Sequence, residues 1–123
     1  MKVINTKDVE PREVGGEALF TGGKVYLQPV LDGEHKGDKI RVSNVKFAPG
    51  ARNKFHTHTT EQILIITDGQ GTVATKEREY EALPGMVFFI SPGEEHRHGA
   101  IKDSSFAHMV ILGEPEEMKI TGS

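Results

Sequence analysis

With 123 residues, of which 36% are hydrophobic, the chain has room for one domain and one core. Its 15 Lys and Arg are interspersed with 18 Asp and Glu for a net charge of −3, a pattern that offers no footprint to nucleic acid or to an acidic membrane surface. Cysteine is absent, which excludes disulfides and thiolate metal sites, and MKVINTKDVEPREV shows no secretory h-region, so a cytoplasmic protein is the expectation.

Residues 1–23 carry Gly15, Gly16, Gly22 and Gly23 and are expected to form an arm or edge segment ahead of a body over 24–113. The first strands are predicted at VYLQPVL (25–31) and IRVSNVKF (40–47), short runs rich in β-branched and aromatic residues. Between them DGEHKGDK is polar, and its His35 reads as a loop residue. ILIIT (63–67) and GTVAT (71–75) follow, separated by the turn pair Asp68-Gly69. The KEREYE run (76–81) reads as the solvated face of a hairpin. MVFFI (86–90) and FAHMVIL (106–112) complete the set, with Pro84-Gly85 and Pro92-Gly93 as turns. From Gly113 the chain is polar, and a tail over 114–123 is expected to fray. Apolar runs such as Ile63 to Ile66 are far too short to span a bilayer. No window sustains an apolar pattern at i, i+3, i+4, i+7. Turns near every ten residues or so, with no helices between, predict an all-β single domain, a sandwich or a barrel.

Five of the six histidines fall in three places: His56 and His58 in HTHTTEQ, His96 and His98 in PGEEHRHGA, and His108 alone. On an extended segment the members of a His-x-His pair share one face, because strand side chains alternate with period two. Two such pairs on neighbouring strands would offer three or four imidazole nitrogens to one point, and imidazole suits first-row divalent metals. His108 alternates with Phe106 and Val110 and so shares an apolar face, where a lone histidine is more often a hydrogen-bonded core residue than a functional one.

The spacing around these residues is more specific. Gly50, five residues, His56, one residue, His58, three residues, Gln62, six residues, Gly69 makes one frame; Gly85, seven residues, Gly93, two residues, His96 makes the other. Together they resemble the cupin family, whose first motif is G-x5-H-x-H-x3,4-E-x6-G and whose second is G-x5-P-x-G-x2-H-x3-N. The resemblance covers roughly residues 45–112. Gln62 stands at the usual Glu position, Ser91 at the first Pro position with Pro92 after it, and Ala100 at the terminal Asn. Glu61 and Gln62 are adjacent and face opposite sides of an extended chain; the motif spacing selects Gln62 as ligand and turns Glu61 away. FTGGKVYLQPVL, PGARNKFHTH and EQILIITDGQG are similar to a subgroup of small single-domain cupins that includes manganese-dependent hydroxynitrile lyases of bacteria.

The resemblance implies a double-stranded β-helix, or jelly-roll barrel, with one divalent transition metal held by His56, His58, Gln62 and His96. Manganese is the implied ion, with iron, nickel, zinc and cobalt as alternatives. It also implies that His98 and His108 line the cavity beside the metal as candidate catalytic bases. All four ligands are neutral, so the ion would keep nearly its full charge and act as a stronger Lewis acid than one bound to a carboxylate. Lyase chemistry on a small α-hydroxy or related oxygen-bearing substrate is the leading expectation. An iron-dependent oxygenase and a non-enzymatic binding module are the alternatives. The outer face of ILIIT is apolar as well as the inner one, which predicts a homodimer that covers it.

Overall fold

In a computed structural model, residues 1–32 and 39–123 are described, and His35 lies outside the described residues. The molecule is nearly all β. Beyond a single turn of 3-10 helix at Thr6–Asp8, the described elements are β1 (Arg12–Glu13), β2 (Phe20–Thr21), β3 (Val25–Leu31), β4 (Ile40–Phe47), β5 (Arg52–Asn53), β6 (His56–His58) and β7 (Gln62–Gly69). The second half contributes β8 (Gly71–Ala74), β9 (Glu79–Ala82), β10 (Val87–Ile90), β11 (Arg97–Ala100), β12 (Phe106–Gly113) and β13 (Met118–Ile120). The six predicted strands are all present, within a residue or two at each end.

A six-stranded sheet runs β1-β3-β4-β12-β7-β10, a five-stranded sheet runs β2-β5-β11-β8-β9, and β13 pairs with β6. Every pairing is antiparallel. This is the expected jelly-roll architecture in a single domain: two facing sheets whose inner side chains make the core. On β12 the alternation is complete, with Phe106, His108, Val110 and Leu112 buried and the residues between them half-buried. Phe47, Leu64, Ile66 and Phe106 are at most 2% exposed. Burial of each such side chain contributes roughly 1.5–3 kcal/mol. The turn glycines Gly50, Gly69, Gly85 and Gly93 all have positive φ, as their turns require.

Two features differ from the sequence expectation. Within the polar C-terminal segment, Met118–Ile120 form a strand, β13. Met118 and Ile120 register with His58 and His56, so this segment is the backbone partner of the histidine-bearing strand. Its sequence, MKI between polar residues, has no apolar run to announce a strand; its partner is supplied from about 60 residues away in the chain. The smaller sheet also uses strands of two to four residues at β2, β5 and β11, too short for a periodicity to register. Among the described residues, no helix is long and apolar enough to cross a membrane.

Candidate metal centre

The site is assembled at β6. His56 and His58 are buried while Thr57 between them is half-buried, as strand alternation requires. The backbone of His56 exchanges two hydrogen bonds with His96: N–H of His56 to the His96 carbonyl at 3.0 Å, and the reverse at 3.1 Å. That bridge holds the third imidazole against the first, with ring centroids 4.3 Å apart; His58 lies 5.0 Å from His56 and 5.8 Å from His96. Gln62 opens β7 and is 3% exposed, whereas Glu61 is exposed. The Gln62 Oε1 lies 2.9 Å from His96 Nε2.

Each of the three imidazoles spends its Nδ1 on an acceptor away from the cluster. His56 Nδ1 donates to the Lys54 carbonyl at 2.7 Å and His96 Nδ1 to the Glu94 carbonyl at 2.9 Å, both two residues back along the chain. His58 Nδ1 donates to the Glu116 carboxylate at 3.1 Å. Such outer hydrogen bonds fix the ring rotation and leave Nε2 as the inward lone pair. Glu116 is itself held, accepting from Arg41 Nη2 at 2.8 Å, while Arg41 Nε reaches Glu114 at 3.0 Å.

One ligand nitrogen from each of His56, His58 and His96 lies within 4.8 Å of the others, so these residues could hold a metal ion. The buried His58 Nε2 has no hydrogen-bond partner in the protein, a costly state that a metal would relieve. Burial also favours the neutral form of the His56 and His96 rings. Desolvation, helped by neighbouring His96 and opposed by the Lys54 carbonyl, pushes His56 down to about 3. Desolvation likewise lowers His96 against the pull of the Glu94 backbone. Neutral imidazole is the form a metal needs, and the donor set fits a divalent transition ion.

A cavity of about 470 Å³ opens beside the cluster. His56, His58 and Gln62 border it together with Asn53 and His98. Its other walls are largely apolar, with Phe20, Leu27, Val45, Phe47, Val110 and Leu112, but they also carry Arg12, Asp32, Arg41, Ser43 and Glu116. The two arginines on the wall already have partners: Arg12 faces Glu17 at 3.8 Å, and Arg41 faces Glu114 and Glu116. His98 stands on the wall, whereas His108 lies behind it, His108 Nε2 being 3.0 Å from His98 Nδ1. The cause is position: His108 is on a central strand of the larger sheet, its ring 5.7 Å from both Phe47 and Phe106. Desolvation pushes His108 down to about 4, with the Met109 backbone pulling the other way, and holds His98 well below its ordinary value with help from His108 and the other histidines.

Asn53 and Glu116 were not singled out by sequence reasoning. Asn53 sits in a two-residue strand, and Glu116 lies in a stretch that reads as solvated tail. Only its place beside Pro115 and an apolar pair at Met118 and Ile120 hinted otherwise.

A jelly-roll of this kind, with three inward histidines and a glutamine beside a largely apolar cavity, defines a cupin-type domain. Residues 46–120 match the family described as AraC-like ligand binding domain, and the chain belongs to it, within the cupins. It is 34% identical over 110 residues to an (R)-mandelonitrile lyase of Granulicella tundricola, covering 84% of this chain and 83% of that protein. An auxin-binding protein of Nicotiana tabacum is 33% identical over 89 residues, covering 70% of this chain and 46% of that one. Among solved structures, a cupin-like protein of Thermotoga maritima superposes with a TM-score of 0.84 at 31% identity, covering 94% of this chain and 90% of the other.

Proposed function

We propose that this protein is a metal-dependent lyase acting on a small, neutral α-hydroxy substrate, a hydroxynitrile such as mandelonitrile serving as the test case. The observation that carries it is the cluster of three imidazoles and Gln62 beside a largely apolar cavity that His56, His58 and Gln62 border. His56, His58, His96 and Gln62 would hold the ion, manganese in this reading. When bound, it supplies Lewis acidity toward a substrate oxygen. The name of the Granulicella tundricola relative supports the reaction class.

The chain's own residues do the rest. The apolar walls take up a hydrocarbon body and exclude water. Arg12 and Arg41 each face carboxylates, and Asp32 and Glu116 stand on the same wall, a balance that favours a neutral substrate over an anionic one. His98, neutral and on the wall, accepts the substrate hydroxyl proton. The carbon–carbon bond to the nitrile breaks, its electron pair leaving with cyanide as the carbonyl forms. The proton on His98 then passes to cyanide, giving an aldehyde and hydrogen cyanide. His108, hydrogen-bonded behind His98, shares the proton between the two rings.

Metal analysis of protein purified without chelator or a metal column tests the first half, with one divalent ion per chain expected. Release of benzaldehyde from mandelonitrile tests the second. A protein that binds small aromatic molecules without turning any over would instead favour a binding module, the reading that the auxin-binding relative supports. Oxygen uptake by the iron-loaded protein would favour an oxygenase.

A further inference from the structure

We propose that Ser43 receives the second polar group of the substrate. Its hydroxyl donates a hydrogen bond to an acceptor such as a nitrile, while the ligand's oxygen lies at the imidazole end of the cavity. The identity of that acceptor rests on the lyase reading; the place of the hydroxyl on the wall does not.

β4 turns Arg41, Ser43, Val45 and Phe47 to the cavity, every second residue of the strand. Ser43 registers with Pro29 on β3 and with Val110 on β12, and Val110 in turn with Leu64 on β7. That row is apolar except for one hydroxyl. Ser43 is half-buried, and its polar neighbours on the wall are engaged within the protein. Arg41 holds Glu114 and Glu116, and Asn53 accepts the backbone N–H of His98. Among the described residues, the Ser43 hydroxyl has no such partner. A purely apolar ligand would strip water from this group and leave it unpaired, whereas a ligand with an acceptor there satisfies it. The wall thus discriminates for a second polar group on the ligand.

The next row along the sheet holds Arg41, Leu112 and Gln62. Two strand spacings and two residues of rise separate Ser43 from Gln62, about 12 Å between α carbons. Both border the cavity, which leaves room between them for a small molecule with two polar ends. A hydroxynitrile has such ends, with hydroxyl and nitrile on one carbon. During cleavage the electron pair of the carbon–carbon bond moves onto cyanide, and a donor already in place meets that charge as it develops.

Phenylacetonitrile carries the nitrile without the hydroxyl, so it binds without being cleaved. Benzyl alcohol carries the hydroxyl without the nitrile. Infrared absorption of the bound nitrile, in zinc-loaded protein, reads the hydrogen bond directly. The wild type should give the hydrogen-bonded frequency and Ser43→Ala the unbonded one. Affinity of Ser43→Ala for phenylacetonitrile should fall about 5-fold, the scale of one hydrogen bond, with benzyl alcohol unchanged. An unbonded nitrile in the wild type, a frequency that Ser43→Ala does not move, or equal losses for the two ligands overturns the proposal. So does a wild type that does not bind phenylacetonitrile. Should the variant fail to fold, the wild-type spectrum decides alone. On mandelonitrile, kcat/KM of Ser43→Ala should fall by at least the same factor, and an unchanged value overturns the role in turnover. Absence of wild-type turnover sinks the lyase reading and leaves the Ser43 contact to the spectrum and the affinities.

Discussion

Glu116 shows at the scale of a single residue how far the site extends beyond its histidines. It accepts from His58 Nδ1 and is clamped by Arg41. Glu116→Gln removes the charge but keeps an acceptor, so it should weaken metal binding about 10-fold, within the usual range for an outer hydrogen bond, as read by competition with a chelator. Replacing His56 and His58 together with Ala should abolish uptake; stoichiometric metal in the double variant would contradict the ligand assignment. Gln62→Glu should keep its metal, a carboxylate being the better ligand, while turnover falls more than affinity does. His108 gives a pH prediction. Its folded pKa, about 4, lies below the ordinary value of 6.5, so folding favours the neutral ring. Its contribution is complete above pH 6.5, shrinks as pH falls, and is gone below about pH 4. The amount is on the order of 3 kcal/mol. Denaturant midpoints of metal-free protein should therefore drop across that window, and less steeply in His108→Phe.

At the scale of elements, close approach between short strands places Asn53. Gly99 on β11 faces Arg52 on β5, and a Cβ added there would lie 2.2 Å from the Arg52 Cβ. Gly99→Ala should push the two strands apart, destabilise by about 1–3 kcal/mol as overpacking does, and disturb His98 more than His56. Urea unfolding with histidine spectra would measure both effects. Why some of this was legible in the sequence follows from the same elements. β3, β4, β7, β8, β10 and β12 carry β-branched or aromatic runs, and their inner faces make the core. The metal cluster was legible because a His-x-His spacing and turn glycines leave a fixed local imprint. β5, β11 and β13 leave none: Arg52–Asn53 and Met118–Ile120 become strands only because a distant partner meets them. The place of His108 behind His98, rather than on the wall, depends on the packing of two sheets and has no local signal.

For the whole molecule, we propose that the outer face of the six-stranded sheet is covered by a second copy of the chain. Phe89, Ile63 and Ile111 lie in register across three strands, and Val87, Ile65 and Met109 form the next row. Val87 and Phe89 are more than 60% exposed. These two rows carry no charge, and residues near a two-fold axis meet their own copies, which favours neutral side chains there. Phe89→Lys should turn a dimer in wild-type sedimentation into a monomer with its metal retained; a monomeric wild type would refute the pairing. The three imidazoles also differ in how they are readied. His56 and His96 are oriented by carbonyls two residues away, and His58 by a carboxylate 58 residues away. Two of the rings are thus aimed as soon as their own loops form, while the third waits for the end of the chain to dock. Metal capture during refolding from denaturant should accordingly be biphasic in stopped-flow mixing. A fast phase scales with metal concentration, and a slower one has a ceiling set by docking of residues 114–120. The pace of loading would belong to the chain, and the ion would only start the clock.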